Sequence, residues 1–192
     1  MTTLMATHLT KQDESDLVRK AVHDVEAFAE LYRRNLTRVY RYHMAHVGNV
    51  KDAEDLTSQT FMAALEGLRS FRGTGSFAAW LFGIASKKRL MFLRRNGSHP
   101  EVPLDAAVQI PSPELPTDKA VRQRLALDSV SRALRQISTD RAEALILIYF
   151  GGLTQSEAGR VLNKSEAAVK MLISRGLQDL RERTSLSLEV EP

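Results

Sequence analysis

Residues 49–95 read NVKDAEDLTSQTFMAALEGLRSFRGTGSFAAWLFGIASKKRLMFLRR. Two apolar-periodic runs flank RGTGS, which predicts two amphipathic helices and a tight glycine-containing loop. The first run opens acidic, with Asp52, Glu54 and Asp55. The second closes basic, with Lys87, Lys88, Arg89, Arg94 and Arg95. Phe71, Phe77, Trp80 and Phe82 lie between them. Rings beside cations at a loop suit single-stranded nucleic acid, because phosphates take the charge and any base stacks on a ring. Phe71 and Arg72, at the loop entrance, are the candidates for touching a base. Lys87 and Arg94 stand seven apart, as do Lys88 and Arg95, so the cations form a strip along the helix.

Each of these features also has a plainer reading. Carboxylates in a first turn stabilise the positive end of a helix by ~0.3–1 kcal/mol each. Three in four residues, near Gln59 and Phe61, equally make a docking patch for a basic helix. A basic strip is ordinarily solvated surface, and Trp80 lies beside the apolar stripe of Phe77, Leu81, Ile84 and Ala85, as a core residue would. The helix before the loop is expected to bury Ala53, Leu56, Ala64, Leu65 and Leu68.

Outward from this segment, the chain of 192 residues is long enough for one domain or two small ones. It has no cysteine, which excludes disulfides and thiolate zinc sites. No apolar run approaches the ~20 residues of a membrane span. The start, MTTLMATHLTKQDES, lacks a signal-peptide apolar stretch, so a cytoplasmic protein without membrane insertion is expected. The net charge of +4 is unevenly spread. Residues 1–96 carry 15 Lys/Arg against 10 Asp/Glu, and residues 121–192 carry 11 against 9. Residues 97–120 hold Lys119 against four acids. Two basic bodies thus flank an acidic connector, which favours an anionic partner.

Upstream, a helix places Phe28, Leu31, Tyr32, Val39 and Val47 near one face, with Arg33, Arg34, Arg38 and Arg41 largely off it. Gly48 stops it and Asn49 caps the next. His43 and His46 stand three apart before the acids; as partly exposed helix histidines they lack a second ligand pair at motif spacing. Downstream, residues 97–118 hold five of the six prolines and no Lys or Arg, and read as an extended linker.

The second body begins near Lys119. After two helices comes GGLTQSEAGRVLNKSEAAVKMLISRGLQDLRER. Thr154 and Glu157 form a capping box, Asn163-Lys164 makes a tight turn, and Ser165 caps a longer helix with Lys170, Arg175, Arg181 and Arg183. A short helix, a tight turn and a longer basic helix make a helix-turn-helix, whose second helix enters the major groove.

In this order the segments resemble an extracytoplasmic-function (ECF) sigma factor, over about residues 16–183. DLVRKAVHDVEAFAELYRRN resembles the start of sigma region 2, and DAEDLTSQTF its polymerase-binding helix. FRGTGSFAAWLFGIASKKRLMFLRR resembles the promoter-melting loop and following helix, and LRQISTDRAEALILIYFGGLTQSEAGRVLNKSEAAVKMLISRGLQDLRER resembles region 4. The resemblance implies an all-α chain of two small helical domains joined by a Pro-rich linker. The expected limits are a flexible N-terminus 1–12, region 2 over 13–96, linker 97–118, region 4 over 119–184 and a flexible tail 185–192. It also implies no enzymatic activity and no cofactor. The partners would be core RNA polymerase, through its largest-subunit clamp helices and flap, promoter DNA, and an anti-sigma factor.

Residue by residue, the resemblance gives Asp52, Glu54, Asp55, Leu56, Gln59 and Phe61 to the polymerase clamp. Phe71 and Arg72 would capture a flipped −10 base, with Lys87, Lys88, Arg94 and Arg95 on the backbone. Thr154, Ser165, Glu166, Ala168, Lys170 and Arg175 would serve the −35 element. The linker would thread toward the RNA exit path. Family members are commonly closed by an anti-sigma factor, so the free chain is expected to flex between its bodies. The chain departs from the family's usual residues at Ser58-Gln59, Lys87, Met91, Lys164 and Met171-Leu172, where one expected DNA cation is missing, and it places Gly176 inside a helix. Two readings of other classes stand beside this one. A stand-alone helix-turn-helix regulator leaves residues 49–95 without a role, and a metal hydrolase would rest on His43, His46 and the Asp52–Asp55 acids.

Overall fold

The computed structural model describes residues 14–71, 75–96 and 132–188. Arg72, the linker 97–118 and the expected N-terminal segment lie outside the described residues. Those described are helical or in turns, with no strand among them. Helix α1 spans residues 14–21, α2 Val25–Val47, α3 Val50–Gly67 and α4 Phe77–Asn96. In the second body α5 covers residues 132–135 and α6 covers Thr139–Leu145, continued by a π-turn over Ile146–Phe150. Helices α7 (Gln155–Leu162) and α8 (Glu166–Leu188) follow. Among the described residues no helix is long and apolar enough to cross a membrane.

Local chemistry sets the boundaries. Gly48 takes the left-handed conformation that ends α2 (φ 67°), and its N–H bonds the Met44 carbonyl. The Asn49 side chain accepts from Asp52 N and starts α3. Ser76 Oγ accepts from Ala79 N at 3.1 Å, as a cap for α4 should.

Helix α3 packs on α2 and α4, and α8 packs on α6 and α7. Gly176 is a point of close approach between α6 and α8: a Cβ there would lie 2.9 Å from Leu145 Cδ1. Its weak helix propensity, a cost of ~1 kcal/mol against Ala, therefore accompanies tight packing between the helices.

The two bodies do not stand apart. Helix α7 lies against α4, and the π-turn lies against α2. Leu31, Tyr42, Phe77, Leu81 and Phe82 share one buried cluster with Leu145, Ile146, Leu147, Leu153, Ala158 and Val169. In this structure the two bodies share one continuous core. The cause is apolar surface on the second body, which is buried against the first. Arg38, read from the sequence as lying off the apolar face, reinforces the junction. Its Nε donates to the Gly151 carbonyl at 2.7 Å and its Nη2 to the Gly152 carbonyl at 3.0 Å. A cation there satisfies carbonyls freed at a helix C-terminus and complements the dipole.

Candidate nucleic-acid interface

The acidic helix presents a mixed face. Glu54, Asp55 and Gln59 are exposed and Asp52 is partly so. Met62 and Leu65 stand on the same side, 63% and 53% exposed. Two expectations fail here. Leu56 and Phe61, assigned to a partner surface, are buried at 1% and 4% exposure, and Leu65, assigned to the core, is not. Helical geometry explains the exchange: Phe61 turns toward α2, where its ring sits 4.6 Å from Tyr32, and Leu56 joins Val47 and Ala53. At 100° per residue, Met62 projects with Asp55 and Gln59, and Leu65 with Glu54.

At the other end of α3, Phe71 follows a 3-10 turn over Leu68–Ser70 and is half-buried. Its ring lies 5.2 Å from Trp80 and 6.2 Å from Phe77. Trp80 is also half-buried, intermediate between core and reader. With Lys87, which is exposed, Phe71 and Trp80 line a cleft of about 520 Å³. Arg94 and Arg95 are exposed further along α4, and Lys88 is half-buried. Arg160 and Val161 of α7 form the opposite wall, a role that no local pattern in the chain announces. Arg160 lies against Gly75. Glu157 bonds Ser76 as well as Thr154; burial pushes its carboxyl up, and these bonds outweigh it and hold the pKa low.

Arg89 has a different fate from its basic neighbours. It is 6% exposed, and its Nη2 lies 2.9 Å from Glu143 Oε2 on α6. The Tyr42 hydroxyl donates to Glu143 Oε1 at 2.6 Å and accepts from Arg89 Nε at 3.3 Å. His46 Nε2 lies 3.1 Å from Glu143 Oε2. Burial pushes the Glu143 carboxyl up, but His46, Arg89 and the Tyr42 hydroxyl outweigh it and hold the pKa at about 2. Burial pushes His46 down, so near neutrality it offers a dipole and Arg89 supplies the compensating charge.

His43 is buried rather than partly exposed, and its Nε2 lies 3.0 Å from Thr60 Oγ1. Thr60 spends its one hydroxyl proton on the Leu56 carbonyl, at 2.7 Å. His43 therefore donates through Nε2. Burial, followed by the charges of His46 and Arg89, pushes its pKa down to about 3. His43 and His46 thus serve two separate packing contacts. Among the described residues no group of three His, Cys, Asp or Glu side chains is arranged for a metal ion.

The helix-turn-helix forms from its sequence signals. Thr154 and Glu157 make the reciprocal capping box, and Asn163 takes the left-handed conformation (φ 53°). Gly159 is required at the turn, since a Cβ there would meet the Lys164 carbonyl oxygen at 2.7 Å. Ser165 Oγ accepts from Ala168 N and caps α8. Lys164, where the family usually buries an aliphatic, instead pairs with Asp140 at 3.0 Å. Ser165, Glu166, Lys170 and Arg175 are exposed, as is Thr154; Ala168 is half-buried. Met171, 53% exposed, also lies on the outer side of α8.

Comparison with known proteins identifies this arrangement. The family model described as Sigma-70 region 2 matches residues 31–99, and that described as Sigma-70, region 4 matches residues 127–180. The chain belongs to the ECF sigma factors. It is 31% identical over 167 residues to the ECF RNA polymerase sigma factor BldN of Streptomyces coelicolor, covering 86% of this chain and 63% of that protein. It is 32% identical over 158 residues to the ECF RNA polymerase sigma factor SigE of Mycolicibacterium smegmatis, covering 80% and 60%. The chain thus spans less than two thirds of the length of these two curated relatives. The structure of CnrH in complex with the cytosolic domain of CnrY shares the fold, with a TM-score of 0.72 and 24% identity over 90% of this chain and 97% of that one. For an ECF sigma factor, the cleft lies in region 2 and the helix-turn-helix in region 4.

Proposed function

We propose that this chain binds core RNA polymerase and directs it to promoters, reading the −10 element with region 2 and the −35 element with region 4. The observation that carries this reading is the presence, on one chain, of three surfaces in family order. They are the acidic face of α3, the aromatic and cationic cleft of α4, and the exposed basic face of α8.

Asp52, Glu54, Asp55 and Gln59 meet the polymerase clamp helices, and Met62 and Leu65 supply the apolar contact first assigned to Leu56 and Phe61. Phe71 and Trp80 stack a flipped −10 base. Unstacking costs a few kcal/mol and stacking returns ~1–3 kcal/mol per base. Arg72, Lys87, Lys88, Arg94 and Arg95 hold the adjacent backbone. Lys170 and Arg175 engage phosphates or base edges of the −35 major groove, beside Thr154, Ser165, Glu166 and Ala168. Residues 13–96 and 119–184 are the two functional domains, and the acidic linker runs between them along the polymerase. The chain acts in the cytoplasm, contributes recognition, and leaves bond formation to the polymerase. An anti-sigma protein is a further partner.

Run-off transcription on fragments of the source genome tests this. Core polymerase with the chain should produce discrete transcripts absent from core polymerase alone. Duplex binding by the chain without polymerase binding would instead make it a stand-alone regulator.

A further inference from the structure

The second helix of the helix-turn-helix has an apolar centre. Among the described residues of α8, Met171 is the one large apolar side chain that stands in solvent, at 53% exposure. Leu172, its neighbour where the family usually has Ser-Arg, is half-buried and packs against the core with Leu177 and Leu180. At 100° per residue, Met171 points away from the buried line of Val169, Ile173 and Gly176. Within about 60° of it, on the adjoining turns, stand Ala167, Ala168, Ser174 and Arg175, none of them acidic.

A single exposed apolar residue is ordinary on a protein surface. This one is set apart by its place. It lies in the second turn of the helix that such a fold presents to the major groove, with Lys170 before it and Arg175 one turn on. The backbone beneath it is fixed: Ser165 Oγ caps the first turn through Ala168 N at 3.2 Å, and Val169 and Ile173 are buried.

Base edges in the major groove differ in what a thioether side chain can offer them. Guanine presents two acceptors and cytosine an amino donor. Met171 brings no donor and a weak acceptor, so covering either base strips water from polar groups and returns no good hydrogen bond. Thymine presents its C5 methyl, which gains by being covered with apolar surface.

We propose that Met171, with Ala167 four residues before it, reads thymine methyl groups and selects A·T pairs at the centre of the −35 element, while Lys170 and Arg175 hold its flanks. This inference rests on the reading of α8 as the −35 helix and adds the base that the helix selects. The cation missing from this helix is then exchanged for a change of sequence preference.

The test uses the full chain with core polymerase. Promoter fragments that give run-off transcripts are resynthesised with deoxyuridine in place of each −35 thymine in turn, on either strand, which deletes a methyl and nothing else. Competition binding should show about a fourfold loss at one or two positions, the worth of one buried methyl. Met171→Ser should weaken binding to the thymine form by about the same factor and should bind the thymine and deoxyuridine forms equally. Lys170→Ala should weaken both forms alike. Equal binding of the two forms by the unaltered chain, G·C pairs at the central positions, or discrimination that persists in Met171→Ser overturns the proposal and leaves −35 binding standing. A Met171→Ser chain changed in polymerase affinity alone also overturns it, and assigns Met171 to a protein contact. Absence of transcripts from every fragment overturns the −35 reading itself, and the proposal with it.

Discussion

Helices α4 and α8 both offer cations for nucleic acid, yet the fold treats them differently. On α8, Lys170 and Arg175 face solvent. On α4, Lys87 opens onto a cleft walled by α7, and Arg89 is taken inside to pair with Glu143. A basic run therefore does not identify a binding surface by itself. Burial divides it into cations open to solvent and cations that pair inside the fold.

The sharpest way to break this contrast is to remove the buried acid. Glu143→Ala leaves Arg89 buried without its counter-charge, and urea denaturation should show a loss of ~3–5 kcal/mol. Lys170→Ala and Arg175→Ala should leave that midpoint nearly unchanged. Each of these two substitutions should instead weaken binding to −35 duplex by ~1–3 kcal/mol where the side chain reads a base edge, measured by fluorescence anisotropy at fixed salt.

Acid should act on the buried side of the contrast only. His43, normally near 6.5, is held at about 3 in the folded chain. The unfolded chain thus takes up a proton that the native chain refuses, and stability falls as pH drops below about 6.5. Between pH 7 and pH 5 His43 alone should account for about 2 kcal/mol of the loss, and His43→Gln should remove that share while leaving the part due to His46, which burial also holds low. Glu143, lowered from 4.5 to about 2, contributes stability that is present above 4.5 and is lost as pH falls toward 2. The smallest effect expected is from Thr154→Ala, which removes the α7 capping box at a cost of ~1 kcal/mol in thermal unfolding.

Local signals in the sequence were legible because their partners are near in the chain. Gly48, Asn49, Ser76, Thr154, Asn163 and Ser165 each act within about one helical turn, and each acts as its residue type dictates. The segments that carry the family resemblance were legible, and the family models match them. The facing of individual residues was less so: Leu56, Phe61 and Leu65 required the helix phase that packing against α2 sets. The junction was not legible. Arg38 meets Gly151, and Tyr42 meets Glu143, 113 and 101 positions along the chain. A polar residue among apolar ones, such as Glu143 within AEALILIYF, marks a buried pair only once its partners are known.

The most direct measurement is the distance between the two bodies, free and on polymerase. Cysteines replacing Val25 on α2, which is exposed and outside the proposed binding surfaces, and Gln178 on α8 accept a donor and an acceptor dye for single-molecule energy transfer. The account predicts one short distance in the free chain and a longer one when core polymerase binds. A broad distribution in the free chain, or the same short distance in an active polymerase complex, would contradict it.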